Sequence, residues 1–85
     1  MAVEPVRVSM LAQNTRADAR RMTEQALRLR DAAVKLRGNP MMPAWFEATV
    51  REQISRCMAA AAELEVAAQR MEEHAGDLLG RRRPR

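Results

Sequence analysis

Apolar and small residues recur along this chain at alternating steps of four and three. One run reads Thr15, Ala19, Met22, Ala26, Leu29, Ala33 and Leu36; a second reads Val50, Ile54, Cys57, Ala61, Leu64, Ala68, Met71, Ala75 and Leu78. Sevenfold spacing of this kind is the seam of a supercoiled helix pair. Alanine takes nearly every second rung, so two backbones can approach closely. The pattern predicts an all-α fold, an antiparallel two-helix hairpin that is coiled-coil-like with an alanine-rich seam.

Local signals set the boundaries. Pro5 and the alternating Val6-Arg7-Val8 predict an extended lead-in over residues 1–8, with Ser9 as the N-cap of a first helix over about 9–37. No glycine or proline interrupts the stretch from Met10 to Arg37. Gly38 suits the left-handed position just beyond a helix end, and Pro40 blocks resumption. The turn over residues 38–43 is short enough to send the second helix back alongside the first. That helix is expected over about 44–79, with Pro43 leading into its first turn, Gly76 as a weak point and Gly80 as terminator. The pairs Glu24–Arg28, Asp31–Lys35, Glu47–Arg51 and Glu52–Arg56 have the acid-to-base order that supports a helix by about 0.2–0.5 kcal/mol each. Residues 81–85 are expected as a disordered basic tail.

Composition narrows the functional classes. A chain of 85 residues allows one domain with a small core. Two helices form one seam and enclose nothing. Leu27 and Val34 on the first helix and Met58, Ala62 and Val66 on the second fall off that seam, and a lone hairpin leaves them in water. A second hairpin covering them would complete a four-helix bundle, so the expected assembly is a dimer with itself or with a related small hairpin protein. Leu27, Val34, Met58 and Val66 are the expected centre of that contact.

Charge is distributed unevenly. Residues 1–40 hold eight cations against four anions, residues 41–80 hold three against seven, and Arg81, Arg82, Arg83 and Arg85 supply the overall excess of +4. A basic helix followed by an acidic one favours an antiparallel pair. The four tail arginines suit either a solubilising end that complements the negative helix terminus or contact with an anionic surface or nucleic acid. Against nucleic acid, the arginines of the first helix alternate with acids and no stacking platform exists beyond Trp45 and Phe46. A membrane-surface role for the first helix meets an alanine-rich stripe without bulky anchors.

Catalysis finds no support. The chain has one cysteine, one histidine, no tyrosine and no glycine-rich phosphate loop. Cys57 sits on a seam rung and reads as a small packed side chain. His74 follows Glu72 and Glu73, but adjacent carboxylates do not share its helix face and no second ligand stands at helical spacing. No catalytic residue, cofactor or metal site is expected. No stretch is long enough to span a bilayer, and the N-terminus shows no apolar core behind a basic head. The expected location is the cytoplasm, with export by a route that reads no cleaved signal peptide left open.

A hairpin of this size with a tryptophan at the turn resembles the WXG family of type VII secretion proteins. The resemblance covers roughly Val6 to Leu79 and rests on the paired heptad helices, the break from Gly38 to Pro43, and Trp45 in Pro43-Ala44-Trp45-Phe46-Glu47-Ala48. Glu47 stands where the family's motif has glycine, and the family's tyrosine-based export signal is absent because the chain has no tyrosine. The resemblance implies a partner or helper of a secreted protein, carried by or carrying a larger cargo. It makes Trp45 and Phe46 candidate partner-binding residues. The plainer reading is that Trp45, Phe46 and Met41 or Met42 plug the open end of the seam. The competing function is a small basic helical regulator of antitoxin type that binds nucleic acid.

Overall fold

The computed structural model describes residues 3–81, which form two helices, α1 (Val3–Leu36) and α2 (Phe46–Arg81), packed side by side in opposite directions. The expected hairpin is the observed fold. At 1.5 Å per residue the helices run about 51 and 54 Å, and the Cα atoms span only 14 × 13 Å across them. The molecule is two helices wide, with no third layer.

The alternating ladder is the contact line. Ala12, Ala19, Ala26, Ala61, Ala68 and Ala75 are the buried hydrophobic residues besides Pro5, each 0–6% exposed. Arg37 pairs with Glu47 next to the turn, and Arg16 pairs with both Glu65 and Glu72 further along, which fixes the register. In that register the alanines alternate between helices up the seam, in the order Ala75, Ala12, Ala68, Ala19, Ala61, Ala26. A methyl group from one helix fills the space between two from the other, so the backbones come close. Thr15 joins this line as its buried polar residue, and its hydroxyl donates to the Leu11 carbonyl at 2.8 Å, so among the described residues no buried side-chain polar atom is left unpaired.

The expected lead-in over residues 1–8 is corrected by the structure: from Val3 onward it is helix. Pro5 lies in the first turn, where N–H groups have no intrahelical acceptor in any case, so its ring costs no hydrogen bond. Its side chain is fully buried, and Pro5, Val8 and Ala12 continue the four–three ladder back from Thr15. Ser9 is therefore an interior residue and caps nothing.

The turn behaves as its residues dictate. Gly38 has φ +81°, the left-handed backbone that ends α1. The Asn39 N–H donates to the Leu36 carbonyl at 3.1 Å, and the Asn39 side chain accepts from the Met41 N–H at 2.9 Å. The Phe46 N–H then donates to the Pro43 carbonyl at 3.1 Å, and Thr49 to Trp45 at 3.1 Å, which starts α2 two residues later than expected. At the far end Gly80 does not terminate the helix, because its backbone stays right-handed and α2 continues to Arg81. The expected basic tail otherwise falls at residues 82–85, outside the described residues.

Candidate interaction surface

The hairpin has two broad sides, and they differ sharply. One is marked by the Arg16 clasp. The Arg16 guanidinium contacts Glu72, lies 3.6 Å from Glu65, and donates to Gln69 Oε1 at 3.1 Å. Residues at sevenfold steps from Arg16, Glu65 and Glu72 must share this side, as must the next column outward. Those columns carry seven charges: Arg16, Arg20, Arg30, Arg37, Arg51, Glu65 and Glu72.

The large ladder rungs lie on the other side of the buried alanine line. Val8, Met22, Leu29 and Leu36 of α1 and Val50, Cys57, Leu64, Met71 and Leu78 of α2 are all half-buried. They border the seam along one edge, because alanine holds its centre. The next column outward brings Leu11, Ala32, Phe46, Ala60 and Ala67 together with Gln25, Gln53 and His74, and among residues 3–80 its charged members are Glu4 and Asp18. This side carries a line of large apolar rungs about 50 Å long with few charges beside it.

Three of the four residues expected at the centre of a partner contact stay on one side. Leu27, Val34 and Met58 lie on the clasp side among the charges, with Leu27 level with Met58. Val66 faces away from the seam on the outer surface of α2, beside Ala62 and Arg70. All four are 42–53% exposed, but they do not form one patch. By spacing alone, large residues on the ladder count as buried core and those off it as spare. With alanine at the centre of the contact, the ladder's own large rungs stay partly uncovered along its edge, though less so than Leu27, Val34, Met58 and Val66. The signal was present in the strict large–small alternation.

At the turn, Met42 and Phe46 are half-buried and, with Ala33 and Leu36, line a notch of about 190 Å³. They take the plugging role expected there. Trp45 and Met41 do not: they are 64% and 82% exposed and project from the tip. Of the tail arginines, Arg81 is the last helical residue, and Arg82, Arg83 and Arg85 lie outside the described residues.

Cys57 is a free, half-buried thiol on the apolar side. His74 is exposed, and among the described residues no group of three or more His, Cys, Asp or Glu side chains is placed to hold a metal ion. No helix of the described residues is long and apolar enough to cross a membrane. In comparisons with known proteins, the chain matches no family model, no curated protein and no solved structure.

Proposed function

We propose that this chain is a non-catalytic interaction module that packs its apolar side against a second helical hairpin, itself or a related small protein, to complete a four-helix bundle. The observation that carries the reading is the asymmetry of the two broad sides. Among residues 3–80, one holds seven charges, and the other holds nine half-buried large rungs with two charges near them. Apolar surface arranged over the whole length of a rod is suited to another rod with the same pattern. Alanine packing within the hairpin buries little area per residue, so the module gains most of its apolar burial in the assembly.

Within this reading, the WXG resemblance supplies the biological setting: a partner or helper in a type VII secretion system. It is supported by the hairpin length, the short turn and the exposed Trp45 at the tip. The bundle face moves from Leu27, Val34, Met58 and Val66 to the opposite side, around Leu29, Cys57, Ala60 and Leu64. Placing charges at Leu11 and Ala60 tests this, since both border the apolar face without lying on the buried alanine line. The double variant Leu11→Glu/Ala60→Glu is expected to lose assembly and keep its helicity. Retained assembly in that variant would remove the proposed face.

A further inference from the structure

We propose that the turn end of the hairpin is a docking tip for an anionic lipid surface, with Trp45 and Met41 entering the interface and a collar of cations meeting the headgroups. This goes beyond the bundle contact and uses a different part of the molecule.

The tip has the required chemistry. Residues 38–46 contain no charged side chain, and they bring Met41, Met42, Trp45 and Phe46 together with Pro40 and Pro43. Met41 and Trp45 are its most exposed members and are not needed to close the seam, which Met42 and Phe46 do. Tryptophan favours the membrane–water boundary, where its ring sits among headgroups and its indole N–H stays wet. The end is only 14 × 13 Å across and its notch, about 190 Å³, is small for a peptide, but such an end can be pressed into a soft surface.

The charges behind the tip point to an anionic surface. Residues 28–56, the end of the rod that carries the turn, hold six cations against three anions. Each anion already has an arginine: Asp31 with Arg30 at 3.4 Å, Glu47 with Arg37 at 3.3 Å, Glu52 with Arg56 at 2.8 Å. Among the described residues, Arg28, Lys35 and Arg51 have no such partner. The remaining parts of the described rod, residues 3–27 and 57–80, hold five cations against eight anions. The positive excess of the rod is therefore local to the tip.

The spacing fits shallow docking. Arg51 lies six residues beyond Trp45, about 9 Å along α2, and Lys35 lies three residues before Gly38. Interfacial elements sink about 5–10 Å into the headgroup boundary. At that depth Lys35 and Arg51 reach the phosphates while Trp45 and Met41 reach the acyl boundary. The acidic remainder of the rod stays in water.

Trp45 is the chain's one tryptophan, so its fluorescence reports on the tip alone. The test adds the full chain to vesicles of phosphatidylcholine, with and without phosphatidylglycerol, at low and high salt. The expected result is a blue shift of Trp45 emission and protection from a soluble quencher on the phosphatidylglycerol vesicles only, reversed by salt. Lys35→Glu and Arg51→Glu should each weaken partitioning by about fivefold or more, and Met41→Glu should abolish the blue shift, with helicity unchanged in all three. Unshifted emission on every vesicle overturns the proposal. So does vesicle binding that leaves Trp45 exposed and disappears when residues 82–85 are deleted, which would assign lipid contact to the tail. Trp45 already shielded in the lipid-free protein, in proportion to assembly, would make the tip a protein contact and overturn it equally.

Discussion

Arg16 and Glu65 lie 3.6 Å apart across the hairpin, and the same guanidinium also reaches Gln69 and Glu72 one and two turns further along α2. One arginine thus spans about 10 Å of the opposite helix, at the level where Ala68 and Thr15 fill the seam. Its side chain is about one-third exposed and that of Glu72 slightly more, so solvent screens the attraction. A double-mutant cycle on Arg16→Ala and Glu72→Ala is expected to give a coupling of about 0.5–1 kcal/mol that shrinks with added salt. A coupling indistinguishable from zero at low salt would mean that the alanine line alone sets the register.

The alanine line makes a sharper prediction at neighbouring positions. Ala61 is buried between the helices, whereas Ala62, the next residue, is exposed. Ala61→Leu or Ala26→Leu should force the backbones apart and destabilise the hairpin by about 1–3 kcal/mol. Ala62→Leu should change thermal stability little. Equal effects at positions 61 and 62 would contradict close backbone approach.

Two glycines should respond in opposite directions to the same change. At Gly76 an added Cβ meets open space and the backbone is helical, so Gly76→Ala is expected to stabilise by about 0.5–1 kcal/mol through helix propensity. At Gly38 there is equal room, but φ is +81°, and Gly38→Ala is expected to cost about 1–2 kcal/mol. Denaturant unfolding of the two variants checks the signs. Stabilisation at both sites would show that the turn is free to relax.

Most of the fold was legible because the ladder has one period and two clean helices satisfy it. The N-terminal boundary was not: Pro5 and Val8 read as an extended segment, although they continue the ladder and proline is free of cost in a first turn. Gly38 and its left-handed φ were readable from residue type, while Gly80, with the same residue type, stays helical. Of the charge pairs expected within helices, Glu52–Arg56 forms; Glu47 instead crosses the turn to Arg37, and Asp31 pairs with Arg30. Four-residue spacing identifies neighbours one turn apart, but it carries nothing about a competing arginine across the turn or next in sequence.

The candidate surface was harder to read for a related reason. Periodicity marks which positions face a neighbour, but not how deeply each is covered. Depth depends on the small residues at the centre of the contact, which push the large ones to its edge. Leu27, Val34 and Met58 stood out in sequence because they break the ladder, but charged neighbours surround them in space.

That contrast can be measured without disturbing the seam. Val34→Glu/Met58→Glu adds charge to the clasp side and is expected to leave assembly intact, whereas Leu11→Glu/Ala60→Glu adds charge to the apolar side and should dissolve it. Loss of assembly with the first pair and not the second would reverse the assignment of the two sides. Cys57 offers an independent readout, since burial of the apolar side should slow its alkylation relative to unfolded protein. In the Leu11→Glu/Ala60→Glu variant its reaction should speed up, and an unchanged rate would place Cys57 outside the contact.

The most direct measurement of the central claim is the mass of the folded protein by light scattering on a sizing column, with absorbance at 260 and 280 nm and helicity of each fraction. The account predicts that full helicity accompanies a discrete multiple of the 9.6 kDa chain, free of nucleic acid. A fully helical 9.6 kDa monomer, unfolding cooperatively at a temperature independent of concentration, would contradict it.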